Sequence, residues 1–170
     1  MMSCKVVVMG VSGCGKSSVG QQLAQRLGVD FLEGDDLHPA QNVARMAAGV
    51  ALTDADRQGW LETLAGRLAA AGAQGHGIVV SCSALKRSYR DILRSGAPDL
   101  RLIHLHGDYD LLATRMAARA DHYMPTSLLD SQFATLEPPG PEENALTLDV
   151  AQTPDSIVNT IVARLTNRTS

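Results

Sequence analysis

The sequence lacks several features that mark particular classes of protein. Its three cysteines are an odd number without a CxxC pair, so neither a disulfide framework nor a zinc site is expected. No apolar run is long enough to span a bilayer. The 15 basic and 18 acidic residues are spread along the chain and give a net charge of −3. This balance argues against nucleic acid or an anionic membrane as the main partner.

The start of the chain adds a further absence. The stretch MMSCKVVVMG has one lysine and an apolar run too short for a secretory signal. We therefore expect a cytoplasmic protein with reduced cysteines. With 170 residues and a hydrophobic content of 45%, the chain has the size and apolar content of one compact domain. No linker divides residues 1–170.

Short β-branched runs alternate with longer amphipathic segments along the chain. This alternation is typical of βαβ units around a parallel sheet, so the expected fold class is α/β. A capping-box pattern at Thr53–Asp56 predicts the start of a helix. The predicted strands are 5–9, 30–32, 77–81, 100–105 and 145–150, and further helices are predicted after residue 15 and at 85–93, 109–119 and 154–165.

Residues 10–18 read GVSGCGKSS and match the phosphate-binding pattern G-x-x-x-x-G-K-[ST] at every fixed position. The glycines let main-chain N–H groups point inward, and the following helix adds the positive end of its dipole. In this pattern Lys16 reaches the β and γ phosphates of ATP, and the Ser17 hydroxyl ligates Mg²⁺. The predicted nucleotide-binding residues of the loop are Gly10, Val11, Ser12, Gly13, Cys14, Gly15, Lys16, Ser17 and Ser18.

Two carboxylates follow the second predicted strand. Glu33 and Asp35 occupy alternate positions and therefore face the same side of the strand. One can orient a hydroxyl and take its proton while the other helps to hold hydrated Mg²⁺, which is what a small-molecule kinase requires. The chain has no N/T-K-x-D element, and its absence argues against a GTPase.

Four further motifs make the pattern more specific. The chain contains GD-x-x-HP-x-x-N from Gly34, DADR-x-x-WL from Asp54, CSALK-x-x-YRD from Cys82 and LL-x-SQF-x-TLE from Leu128. With these motifs it closely resembles the gluconate kinases, a family of small P-loop sugar-acid kinases, as far as about Glu137. It departs from the family pattern at Ala51 and at Gly59, where proline is usual.

The resemblance implies transfer of the ATP γ-phosphate to the 6-hydroxyl of D-gluconate. It also implies a five-stranded parallel sheet in the order 2-3-1-4-5, flanked by helices. The substrate-binding region would cover about 36–72 and a lid about 120–138. Family members are often homodimers, although no interface can be read from this sequence.

The resemblance also suggests roles for residues outside the phosphate loop. Asp35 would be the catalytic base, and His38 would contact the substrate. Arg57 would bind the substrate carboxylate, by analogy with shikimate kinases; a surface ion pair is the alternative. Lys86 and Arg90 share a helical stripe at the ligand-binding edge of the sheet; they would contact the substrate or form a solvated face.

A second group of residues is expected around the nucleotide. By resemblance to related kinases, the adenine would lie between the lid helix, which carries Arg115, and the loop that ends at Pro154. His104 and His106 alternate on one strand without a third metal ligand and are interpreted as packing or strand-end residues. The remaining alternatives for function are a shikimate or nucleoside monophosphate kinase and a catalytically silent nucleotide-binding regulator.

Arg119 is the predicted catalytic arginine of the lid. An arginine that neutralises the transferring phosphoryl contributes roughly 10³ to 10⁵ in rate. That factor equals about 4 to 7 kcal/mol of transition-state stabilisation, whereas a surface ion pair contributes only about 0–1 kcal/mol to folding stability. Arg119→Ala is therefore expected to remove most turnover and to leave the melting temperature nearly unchanged. Steady-state kinetics and thermal melts check both halves. An unfolded variant, or one with near-normal turnover, contradicts the role.

Overall fold

The computed structural model describes residues 4–11, 13–50, 52–118 and 126–166, without the side chains of 126–128. Five strands alternate with seven α-helices in the described part of the chain. The strands are β1 (Lys5–Met9), β2 (Asp30–Glu33), β3 (Ile78–Ser81), β4 (Arg101–His106) and β5 (Leu146–Asp149). The helices are α1 (Lys16–Leu27), α2 (Ala40–Ala47), α3 (Asp54–Ala73), α4 (Arg87–Gly96), α5 (Tyr109–Ala118), α6 (Thr126–Thr135) and α7 (Pro154–Thr166).

The five strands form one parallel sheet in the order β2-β3-β1-β4-β5, which confirms the predicted fold class and strand order. Successive side chains of β1 point to opposite faces. Val6 and Val8 join a core covered by α1 and α7, whereas Val7 and Met9 join a core covered by α3 and α4. All four are fully buried, as expected for a central strand covered on both faces.

The predicted strands agree with the observed ones to within one residue at every end. The helix expected from residue 85 begins only at Arg87, because Ala84 adopts a left-handed backbone conformation (φ 46°) and Lys86 is still extended. Helices α2 and α6 were not predicted. The one buried residue of α2 is polar, Asn42, and Val43 is 49% exposed, so the apolar residues of this helix do not form the buried face by which a helix is recognised. No helix in the described residues is long and apolar enough to cross a membrane.

The predicted capping box is present at the start of α3. The Thr53 side chain accepts a hydrogen bond from the Asp56 N–H at 3.1 Å, and the Asp56 carboxylate accepts one from the Thr53 N–H at 2.9 Å. Four turns further into α3, Leu68 is fully buried. The cap thus fixes the start of a helix whose apolar face fills one side of the sheet.

We expect Thr53→Ala to lower the free energy of unfolding by about 1 kcal/mol, because the Asp56 N–H loses its acceptor. In a domain of this size that corresponds to a melting temperature lower by about 2–4 °C. Thr63→Ala is the matched control, since Thr63 is exposed and its hydroxyl only bonds the Gly59 carbonyl within α3. Equal losses in the two variants contradict the capping role.

Candidate active site

Three loops meet at the carboxyl edge of the sheet, where open α/β folds bind ligands. The phosphate loop follows β1, a short 3-10 helix (Gly34–Leu37) follows β2, and residues 82–86 follow β3. The Gly10 N–H donates to the Ser83 carbonyl at 3.3 Å, which joins the first loop to the third. Because β2, β3 and β1 are adjacent in the sheet, the predicted phosphate and acceptor residues lie side by side.

The phosphate loop wraps tightly against α5. Gly13 has a left-handed backbone (φ 85°), and a Cβ there would lie 3.1 Å from the Met116 side chain, so a larger residue would be strained and crowded. The Lys16 ammonium donates to the Val11 carbonyl at 3.2 Å across the loop. Ser12, a predicted nucleotide contact, lies outside the described residues. The described loop is the compact turn at the start of a helix that phosphate binding requires.

The Glu33 carboxylate, at the end of β2, connects the start of α1 to the end of β3. One of its oxygens accepts a hydrogen bond from Ser17 and the other accepts one from Ser81. Since the Ser17 proton is used in this bond, the lone pairs of the hydroxyl oxygen are available to a cation. The described residues contain no group of three or more His, Cys, Asp or Glu side chains that could hold a metal ion. The Ser17 hydroxyl and the nearby Glu33 carboxylate nevertheless fit Mg²⁺, because this ion keeps several waters and binds few protein groups besides substrate phosphates.

Asp35 lies at this edge too, in the 3-10 helix that follows β2. Its side chain is 61% exposed, and the preceding Gly34 packs so closely on the Ser81 carbonyl that a Cβ would clash with it. Burial, together with the Asp35 charge, raises the pKa of the Cys82 thiol to about 12. Burial also raises the pKa of Cys14 in the phosphate loop, and Lys16 only partly offsets it. Both thiols are therefore protonated near neutral pH and are not nucleophiles.

His38 is held almost completely out of solvent. Its side chain is 3% exposed, its ring is stacked on Trp60 at 3.9 Å, and its Nε2 lies 4.0 Å from Asp35 Oδ1. The Trp60 indole donates in turn to the Gly34 carbonyl at 2.8 Å, and Trp60 itself is buried in the core. Burial lowers the pKa of His38 despite the nearby Asp35 carboxylate, and Arg57 lowers it further. The imidazole is thus neutral.

Tyr89 brings two of the predicted cations together. Arg57 Nη1 donates to the Tyr89 hydroxyl at 2.9 Å, and its guanidinium carbon lies 5.3 Å from the centre of the Tyr89 ring. The Lys86 ammonium lies 5.7 Å from the same ring centre and donates to Asp54 at 3.0 Å. Tyr89 was not among the predicted site residues, although it belongs to the CSALK-x-x-YRD motif. Arg57 and Lys86 thus place two positive charges beside the Tyr89 ring, and a pair of cations of this kind can bind an anion.

The prediction that Arg90 contacts substrate is wrong in this structure. The side chain is 2% exposed, and its nitrogens donate five hydrogen bonds to protein acceptors. A guanidinium has five N–H donors, so none remains for a ligand. The acceptors are the Ala84, Leu85 and Glu137 carbonyls and both carboxylate oxygens of Glu143.

Arg90 instead fastens the chain after α6 to the loop after β3. Glu143 accepts from Arg90 and also from Arg94, and the Glu137 N–H donates to the Leu85 carbonyl at 2.8 Å. Burial alone would raise the pKa of Glu143, but hydrogen bonds from the two arginines lower it to about 2. We call Arg90, Glu137 and Glu143 the arginine clamp, because they join the loop after β3 to the segment after α6.

The remaining predicted residues are those expected around the nucleotide, together with a histidine of β4. Arg115 Nη2 donates to the Val150 carbonyl at 2.7 Å, which ties α5 to the loop before α7. Pro154 and Ser18 are exposed at the starts of α7 and α1. Arg119 lies outside the described residues. His104 is buried in β4, and burial lowers its pKa to about 4, which agrees with the predicted packing role.

Comparison with known proteins places this fold and site in context. A family profile described as an AAA domain matches residues 6–139. A gluconokinase of Gluconobacter oxydans is 46% identical over 157 residues, which are 92% of this chain and 88% of that protein. A crystal structure of a gluconokinase from Sinorhizobium meliloti aligns with a TM-score of 0.87 at 49% identity, over 96% of this chain and 94% of that one. An unliganded sugar kinase from Janibacter aligns with a TM-score of 0.93 at 42% identity, over 97% and 95% of the two chains.

The arginine clamp leads to a stability prediction. Glu143→Ala leaves Arg90 buried without its counter-charge, so we expect the free energy of unfolding to fall by about 3–5 kcal/mol. Glu142→Ala is the matched control, because Glu142 is exposed and pairs with the exposed Arg87 at 2.5 Å; such pairs contribute about 0–1 kcal/mol. Urea unfolding of the two variants measures the difference, and similar losses in both contradict the clamp.

The same carboxylate predicts a pH dependence. The pKa of Glu143 is depressed in the folded protein, so its contribution to stability is complete above its ordinary pKa of 4.5 and is lost as pH falls towards about 2. Wild-type protein should therefore lose stability between pH 4.5 and 2 more steeply than Glu143→Ala. Parallel stability curves for the two proteins over this range contradict the assignment.

Proposed function

Because the chain belongs to the gluconokinase family, we propose that it transfers the γ-phosphate of ATP to the 6-hydroxyl of D-gluconate and releases ADP. One observation carries this proposal: Glu33 links the phosphate-loop serine, Ser17, to Ser81 beside the acceptor loop. This link supports a site for a phosphate donor next to a site for a small acceptor at one edge of the sheet. The identity of 46% to a gluconokinase over 92% of the chain supports gluconate as that acceptor.

Lys16 and the main-chain N–H groups of residues 10–18 bind the phosphates of ATP in this mechanism. Asp35 orients the 6-hydroxyl of gluconate and accepts its proton as the hydroxyl oxygen attacks the γ-phosphorus. The bond from that phosphorus to its bridging oxygen breaks, and ADP leaves with the bridging oxygen. Mg²⁺ bound at Ser17 would neutralise charge on the phosphates. His38 contributes a neutral ring beside Asp35.

Arg57 and Lys86 are the proposed partners of the gluconate carboxylate. Arg57 is only partly buried and retains N–H donors beyond the one used by Tyr89. A guanidinium with free donors can bind a carboxylate in bidentate fashion, and the Lys86 ammonium adds a second positive charge. Arg57→Ala and Lys86→Ala would accordingly weaken gluconate binding more than ATP binding.

Further features are proposed from the family. Arg115 and Pro154 flank the adenine, a lid at about 120–138 excludes water during transfer, and Arg119 of that lid neutralises the moving phosphoryl. The substrate-binding region covers about 36–72 of the single domain. A cytoplasmic location and a homodimeric state stay predictions, which fractionation and light scattering would test.

A coupled ADP-release assay tests the proposed function. We expect turnover with gluconate, and none above background with shikimate or nucleoside monophosphates. Turnover with shikimate or a monophosphate alone overturns the substrate, and no turnover with any acceptor favours a nucleotide-binding regulator. The same assay with varied Mg²⁺ tests the metal requirement.

Asp35→Asn is expected to lower kcat for gluconate by about 10² to 10⁴, the usual contribution of a general base. The melting temperature should not change, because the Asp35 side chain is largely exposed. Asp36→Asn is the matched control: it removes the same charge from the next residue, which is also exposed, and should leave kcat nearly unchanged. Equal activity in the two variants contradicts the role of Asp35.

A further inference from the structure

The Asn42 side chain joins helix α2 to the start of α3 and to His38. It is the only buried residue among the eight of α2, and its side chain is fully buried. Its amide nitrogen donates to the Asp56 carbonyl at 2.8 Å and lies 3.2 Å from His38 Nδ1. Asn42 therefore connects the start of α3 to the histidine that faces Asp35.

These contacts determine how the Asn42 amide is oriented. The Asp56 main-chain oxygen can only accept a hydrogen bond, so the amide atom beside it must be Nδ2. The alternative orientation would place two oxygens 2.8 Å apart. Because the same nitrogen faces His38, the Nδ1 atom of that ring must accept rather than donate. The proton of the neutral imidazole then resides on Nε2.

Asn42 keeps this orientation at a cost. Its Oδ1 atom is buried and has no hydrogen-bond partner among the described residues, which is an unfavourable state for a polar atom. A residue that served only to pack α2 against α3 would not need an amide here. The two donated bonds are what the amide provides, so its function lies in donation to Asp56 and His38.

The ring of His38 has little freedom to escape this arrangement. It is stacked on Trp60 with an angle of 19° between the ring planes, and the indole is anchored to the Gly34 carbonyl. In the described part of the chain, the charged groups that act on the ring are Asp35, from the 3-10 helix, and Arg57, from α3. Nε2 is the ring atom near Asp35, at 4.0 Å from Oδ1.

We propose that Asn42 is a positioning residue that holds His38 as its Nε2–H tautomer, so that the ring presents a hydrogen-bond donor beside Asp35. The Nδ1–H tautomer would instead present a lone pair towards the carboxylate and repel it. The kinetic consequence rests on the proposed function. A hydroxyl oxygen between the two residues can accept a hydrogen bond from His38 while it gives its proton to Asp35.

The tautomer can be measured on the complete wild-type protein without ligand. The chain has five histidines, and in protein labelled with ¹⁵N-histidine the signals of His38 are those that vanish in His38→Gln. We expect ring shifts and couplings of a neutral imidazole protonated at Nε2. A proton on Nδ1, or rapid exchange between the two tautomers, overturns the proposal whether or not the chain is active.

A double-mutant cycle tests whether Asn42 acts through His38. Asn42→Asp replaces the donor with an acceptor, so we expect kcat with gluconate to fall about 10- to 100-fold, a loss typical of removing a partner that orients a histidine. The KM for ATP should not change. In His38→Gln the glutamine amide offers an N–H near the Nε2 position without help from residue 42. In the His38→Gln background, Asn42→Asp should therefore lower kcat by no more than about twofold, which is the usual deviation between independent sites.

Additive losses in the cycle would mean that Asn42 has only a structural role, and they overturn the proposal. Asn159→Asp is the matched control, since Asn159 is an exposed helical residue whose side chain accepts from Arg26 at 2.6 Å; its kcat should match wild type. If Asn42→Asp does not fold, Asn42→Ala takes its place in the cycle. A wild-type protein inactive with gluconate would refute the proposed function and leave the tautomer measurement to decide on Asn42.

Discussion

One carboxylate, that of Glu33, holds the site together. It accepts hydrogen bonds from Ser17 at the start of α1 and from Ser81 at the end of β3, and so joins three neighbouring strands at the edge where they end. In a parallel sheet, the loops that follow adjacent strands emerge at the same edge, but nothing in that topology fixes their separation. The Glu33 bonds and the Gly10 to Ser83 bond supply that constraint.

The cations around this edge divide into two groups by burial. Arg90 is buried and spends every donor on the protein, so it shapes the loop after β3. Arg57 and Lys86 gather around Tyr89 and are only partly covered. Of the two cations four positions apart, Arg90 within α4 thus belongs to the scaffold, and Lys86 just before α4 belongs to the proposed substrate site. Breaking the buried ion pair of Arg90 would be strongly destabilising, so the loop after β3 is held in place. Arg57 and Lys86 stay accessible to an anion.

Most of the sheet could be predicted from the sequence because its strands are short apolar runs separated by helical patterns. The phosphate loop could be predicted for a different reason, since Lys16 and its glycines follow a fixed spacing imposed by the ligand. Helix α2 could not, because its one buried residue, Asn42, is polar. The structural role of Arg90 could not be predicted from the sequence either. Its partner Glu143 is 53 positions away, and no local pattern distinguishes a buried arginine from a solvated one.

The direct test of the whole account is to locate the transferred phosphate on the acceptor. The protein is incubated with ATP, Mg²⁺ and D-gluconate labelled with ¹³C at carbon 6, and the product is followed by ³¹P NMR. The account predicts a new phosphomonoester signal that is split by coupling to the labelled carbon. A phosphomonoester without that coupling, or release of inorganic phosphate alone, would contradict it.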